Sequence, residues 1–133
     1  MKWHVSLSYG LLEHIQKTPA DRKAHFQTLK NAMLSDQRHN QLVFLSHDNL
    51  FNQSMMDLLK KVPENQRLAS LKSLLSILLT SPGKKLLFMG SDEGVTASWK
   101  SAFTKLQGYL NDESLKDKDI TKMVSQLNKI YRS

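Results

Sequence analysis

Two acids stand out by where they sit in the chain. Leu42-Val43-Phe44-Leu45-Ser46 runs directly into His47-Asp48, and Leu86-Leu87-Phe88-Met89-Gly90 runs into Ser91-Asp92. The two cadences match, so that Phe44 and Phe88, Ser46 and Gly90, and Asp48 and Asp92 take equivalent places. Read from the residues alone, His47-Asp48 is a polar strand end whose side chains cap the next helix or bond to each other. Other chemistries find less support. Ser81-Pro82-Gly83-Lys84-Lys85 lacks the G-x-x-x-x-G-K-[ST] spacing that cradles phosphates, and reads as a turn with solvated lysines. His4, His14, His25, His39 and His47 show neither H-x-x-x-H nor H-E-x-x-H spacing, so no metal is expected. There is no G-x-S-x-G nucleophile elbow. Trp3 and Trp99 could stack on a sugar ring, although Trp99 lies on an apolar helix stripe and reads as core.

Positioning those acids requires strands with helices between them. A short unbroken apolar run between turn residues reads as a strand buried on both faces, which predicts strands at 42–46 and 85–89. The sequence between them is helix-like, so the pair forms a parallel β-α-β unit with a long crossover. Leu7, Leu11, Leu12 and Ile15 give a first helical stripe over 4–17. Asp21 can cap a second helix that places Phe26, Leu29, Met33 and Leu34 on one side. Residues 35–40 are polar and loop-like. Leu50, Phe51, Met55, Leu58 and Leu59 predict a short helix broken near Val62-Pro63. The stretch 64–80 carries so wide an apolar stripe, from Leu68 to Leu79 with Ile77, that it must pack on more than one side. A helix over 95–110 presents Trp99, Phe103, Leu106 and Leu110. In the last one, Ile120, Met123, Val124, Leu127, Ile130 and Tyr131 follow helical spacing. The expected fold is α/β but mainly helical, with five or six helices around two parallel strands.

Length bounds the rest. At 133 residues the chain is one domain, 1–133, long enough for a core but about half of the roughly 250 residues that an eight-stranded α/β barrel needs. The apolar share of 40% and charged share of 23% are those of an ordinary globular protein. Without cysteine there are no disulfides or thiolate metal sites. Met1-Lys2-Trp3-His4 leads into polar sequence with no signal-peptide core, and no apolar run reaches bilayer length, so a soluble, cytoplasmic protein is expected. The net charge of +7 is scattered rather than gathered into a stripe. That argues against nucleic acid and for a solvated surface or an acidic protein partner.

A family resemblance adds to this reading. Pro82-Gly83-Lys84-Lys85-Leu86-Leu87-Phe88-Met89-Gly90 resembles the last barrel strand of bacterial 1,4-α-glucan (glycogen) branching enzymes. Phe44-Leu45-Ser46-His47-Asp48 is similar to the penultimate strand of that family, ending in a Ser-His-Asp that carries one of three catalytic carboxylates. Trp3-His4, then Asp21-Arg22-Lys23 and His25, resemble the segment before it, and Val124 to Arg132 looks like the helix that closes the catalytic domain. What is matched is the tail of the barrel after its sixth strand. The resemblance implies that His47 and Asp48, with Asp92, are a vestigial sugar site. It also implies that the nucleophile and proton donor lie on strands before the matched part. Departures are local: Asn49 stands where the family usually has Glu, and Asp92-Glu93-Gly94 only partly matches the loop after the last strand.

Retaining glycoside transfer needs an attacking carboxylate and a proton donor roughly 5 Å apart. Lacking both, the chain is expected to be no enzyme and to need no cofactor. It is expected instead to bind and modulate, or inhibit, a partner protein. Strands cut from a barrel have raw edges and an apolar face that must be covered. Either the amino-terminal helices fold across them or two copies associate, and a homodimer is expected, with Leu50, Phe51, Met55 and Met56 as contact candidates. The alternatives are a glucan-binding remnant using His47, Asp48 and Asp92, and an enzyme piece completed in trans.

Overall fold

A computed structural model describes residues 1–35, 41–46, 53–88, 90–95 and 117–133. Its elements in order are β1 (Lys2–Trp3), α1 (Val5–Gln16), α2 (Pro19–Leu34), β2 (Gln41–Leu45), α3 (Met55–Leu58), α4 (Glu64–Thr80), β3 (Lys84–Leu87), a 3-10 turn (Ser91–Glu93) and α5 (Lys118–Arg132). The architecture is α/β and mainly helical. The helix expected over 95–110, with Trp99, Phe103, Leu106 and Leu110, and the loop at 36–40 lie outside the described residues.

Among the described residues the sheet has three parallel strands in the order β1-β2-β3, one more than expected. The extra strand is only Lys2–Trp3, too short and too polar to announce itself. It pairs Lys2 with Gln41 and Trp3 with Leu42, and the His4 N–H continues onto the Leu42 carbonyl at 2.9 Å. Where a longer β1 would next receive a β2 donor, helix α1 has already begun. The Phe44 N–H donates instead to the hydroxyl of Ser8, a fully buried side chain of α1, at 3.3 Å. This β2 donor is thus satisfied by an amino-terminal helix.

The β2–β3 ladder pairs Leu42 with Lys84 and Phe44 with Leu86. Phe44 therefore opposes Leu86, not Phe88: the matched cadences are offset by two from the true register. The reason is the turn at Pro82-Gly83, which starts β3 at Lys84. A slip of two keeps every side chain on its expected face. Val43 and Leu45, fully buried, join Leu7 and Leu11 of α1 and Leu71 and Leu75 of α4 in one core. Trp3, Leu42, Phe44, Lys84 and Leu86 share the other face, where the Trp3 ring stands edge-on to Phe44 at 4.6 Å. There Trp3 is 54% and Leu86 38% exposed. As expected, β2 is buried on both faces; β3 is not, because it is the last strand of the sheet. Consecutive parallel order with α1 and α4 packed together on one face is the arrangement of a barrel arc, not of a doubly wound sheet.

Helix α4 has the expected bounds and buries Leu71, Leu74, Leu75, Leu78 and Leu79 against α1, α3 and α5. Helix α2 departs from expectation. Its N-cap is Thr18 rather than Asp21, with Pro19 as first residue; Asp21 sits three residues on and exchanges hydrogen bonds with the Thr18 side chain. Of its predicted stripe only Leu29 is buried; Phe26, Met33 and Leu34 are exposed, because α2 packs chiefly against α1. In α5, Ile120 and Val124 are buried against α4, and Ile130 and Tyr131 run past the core.

Candidate functional site

Strands β2 and β3 end side by side. The Phe88 N–H donates to the Leu45 carbonyl at 2.7 Å, so Ser46 and Phe88 are neighbours at the carboxyl end of the sheet. Ser46 is buried, and the chain passes from it into His47 and Asp48, which lie outside the described residues. After β3 the Gly90 carbonyl accepts from the Glu93 and Val95 N–H groups, closing the turn that carries Asp92. Ser91 is buried and Asp92 exposed. The Glu93 carbonyl then accepts from the Asp117 N–H at 2.9 Å, which fixes the start of α5 on this turn. The Asp117 side chain caps that helix by accepting from the Ile120 N–H at 2.9 Å.

This seating creates a groove of mixed polar and apolar lining that sequence reasoning missed. It has a volume of about 380 Å³ and runs from Asp92 and Glu93 along Thr121, Ser125, Asn128 and Arg132. Hydroxyls, an amide, carboxylates and a guanidinium are the groups that hydrogen-bond polyhydroxyl compounds. The signal was present in the sequence as the polar complement of the α5 stripe, at Thr121, Ser125 and Asn128, but nothing there tied it to Asp92.

The contact candidates separate. Leu50 and Phe51 lie outside the described residues. Met55 is 3% exposed and belongs to the core, so it is not a surface contact; Ser54 caps the short α3 and turns Met55 inward. Met56 is half-buried against the same core. Among the described residues no group of three or more His, Cys, Asp or Glu could hold a metal ion, and no helix is long and apolar enough to cross a membrane.

On the helix side of β3, the Lys85 ammonium donates to the Ser81 carbonyl and lies 5.2 Å from the Tyr131 ring centroid. Burial lowers its pKa to about 8. The unfolded chain keeps this proton to about 10.5, so the folded state binds fewer protons between those values and stability rises with pH across that window. Lys85→Met should flatten the rise from about pH 8 to 10.5; thermal melts of both proteins across that range measure it.

No family model matches the chain. Comparison with curated proteins finds 32% identity to the 1,4-alpha-glucan branching enzyme GlgB of Albidiferax ferrireducens, over 100% of this chain and 21% of the relative. The same enzyme of Methylococcus capsulatus is 33% identical over 100% of this chain and 18% of its own length. That of Vibrio cholerae is 32% identical over 99% and 18%. The chain is homologous to part of the bacterial glucan branching enzymes. It spans about a fifth of the length of these branching enzymes. The barrel-arc sheet agrees with that kinship, and its carboxyl end is where α/β barrels place their chemistry.

Proposed function

We propose that these 133 residues form one wall of an α-glucan site, in which His47, Asp48 and Asp92 hold sugar hydroxyls while the attacking carboxylate and the proton donor belong to polypeptide outside the segment. The observation that carries this reading is the side-by-side ending of β2 and β3, directly before His47-Asp48 and the Asp92 turn, in a chain homologous throughout to branching enzymes. By itself such a wall binds without turning over, because retaining transfer needs the missing pair.

Affinity electrophoresis through gels containing amylose or glycogen tests it. The wild-type chain is retarded, and Asp48→Asn and Asp92→Asn each lose most of the retardation. Mobility unaffected by either glucan overturns the reading. Addition of the amino-terminal remainder of the Methylococcus capsulatus relative should in turn yield branching activity, read as a shift in the iodine spectrum of amylose.

A second reading has its own support. Trp3 and Leu86 are exposed on the sheet face away from the helices, and such a face suits a module that binds and modulates a partner protein or a second copy. The charge of +7 favours an acidic partner. Light scattering that gives a monomer, together with an empty pull-down at low and moderate salt, removes this second reading.

A further inference from the structure

Helix α2 is held to the protein by little apolar surface. Leu29 is its one buried apolar side chain, and Ala32 lies so near Gly10 of α1 that a Cβ there would meet it at 2.8 Å. The other contact is a cluster of ionisable groups near the turn between the helices. The His14 and His25 rings face each other with centroids 6.0 Å apart. The Nδ1 atom of each is buried and makes no hydrogen bond. His25 Nε2 lies 3.0 Å from the Glu13 carboxylate, which also pairs with Lys17 at 3.6 Å. Arg22 donates to the Ile15 and Lys17 carbonyls at 2.8 and 3.1 Å. Asp21 is engaged with Thr18. The charges acting on His14 are Arg22, His25 and Lys17, all cations or potential cations, and Glu13 is the carboxylate that faces the cluster across His25.

We propose that this contact is an acid-released clasp: protonation of His14, packed against the His25 ring, detaches α2 from α1 while the sheet, α1 and α4 stay folded. An imidazolium at His14 would stand beside Arg22 and Lys17, while the nearby Glu13 carboxylate is engaged with His25 and Lys17. The buried Nδ1 of His14, protonated, would become a donor with no acceptor, a costly state in a desolvated place. Release relieves both, against the hold of Leu29, the close contact at Gly10 and the two Arg22 hydrogen bonds. The direction of the pH dependence follows. Desolvation, then the neighbouring Arg22, His25 and Lys17, hold the His14 imidazole below its ordinary 6.5. The clasp is at full strength above about 6.5 and weakens as pH falls below it, because the released helix binds the proton more readily. Met33 and Leu34 leave with α2, opening the small cavity of about 230 Å³ that they line with Leu7 and Ile77.

Native-state hydrogen exchange followed by mass spectrometry tests the clasp at about pH 7.5 and about pH 5.5, with rates corrected for intrinsic exchange. Opening of peptides within 19–34 should rise by up to about tenfold per pH unit for each coupled proton, while peptides within 64–80 hold their protection. His14→Gln should remove most of that rise. Glu13→Gln, at an exposed position that leaves the core untouched, should enlarge it at the lower pH. Loss of protection by α2 and α4 together, or an α2 response unchanged in both variants, overturns the proposal.

Discussion

Leu75→Ala lowers the free energy of unfolding by about 2–5 kcal/mol, the range for emptying a fully packed leucine site. Leu75 has no exposed surface and sits mid-way along α4, in the core that α1, the sheet and α5 share. Deleting its side chain leaves a hole whose walls belong to several elements, so none can move in to fill it without leaving another partner. The loss is read from chemical unfolding monitored by circular dichroism. Leu86→Ala is the control: that side chain is 38% exposed on the open sheet face, and its truncation costs far less. Equal losses at the two positions would mean that α4 is not the centre of the core.

Gly83→Val is the second large effect, and it acts through the backbone. Gly83 has a φ of +106°, a conformation that side-chain-bearing residues rarely adopt. A Cβ built there lies 2.6 Å from the Gln41 carbonyl oxygen and 3.2 Å from its carbon. Those are main-chain atoms of β2 and cannot swing aside as a flexible side chain would. Backbone strain alone costs about 1–3 kcal/mol, more for a β-branched residue, and relieving the clash means parting β3 from β2. The glucan-binding end would then suffer as well, since Phe88 and the turn bearing Asp92 follow directly from β3. The expected result is a lowered melting temperature with reduced retardation in glucan gels. A variant that melts with the wild type would contradict the geometry of this turn.

How much of this was legible in the sequence depended on whether a residue's surroundings are local. Helix α4 announced its bounds and its many-sided burial, because leucines at every helical contact position admit no other placement in water. The apolar run of β2 spoke for a strand buried on both faces, and it is one. Strand β1 was invisible, since two residues carry no period; only the partner at Gln41-Leu42 makes Lys2–Trp3 a strand. Exposure of Phe26, Met33 and Leu34 could not be foreseen either, because spacing tells which residues share a side of α2 but not whether anything packs against that side. Met55 and Met56 looked alike on paper, and the Ser54 cap decided which of them entered the core. At the candidate site, Asp92 takes its place from the end of a strand, whereas its α5 neighbours Thr121, Ser125 and Asn128 come from far along the chain. His47 and Asp48 lie outside the described residues.

The hydroxyl that Ser8 offers to the Phe44 N–H has a bearing on how this protein could go wrong at high concentration. Beyond two-residue β1, the Phe44 N–H on the flank of β2 is already taken, so an incoming strand finds that donor occupied. The flank of β3 is the other end of the sheet. Joining there about a two-fold axis consumes the open flank of both molecules at once, and such a chain reaction stops at its first step.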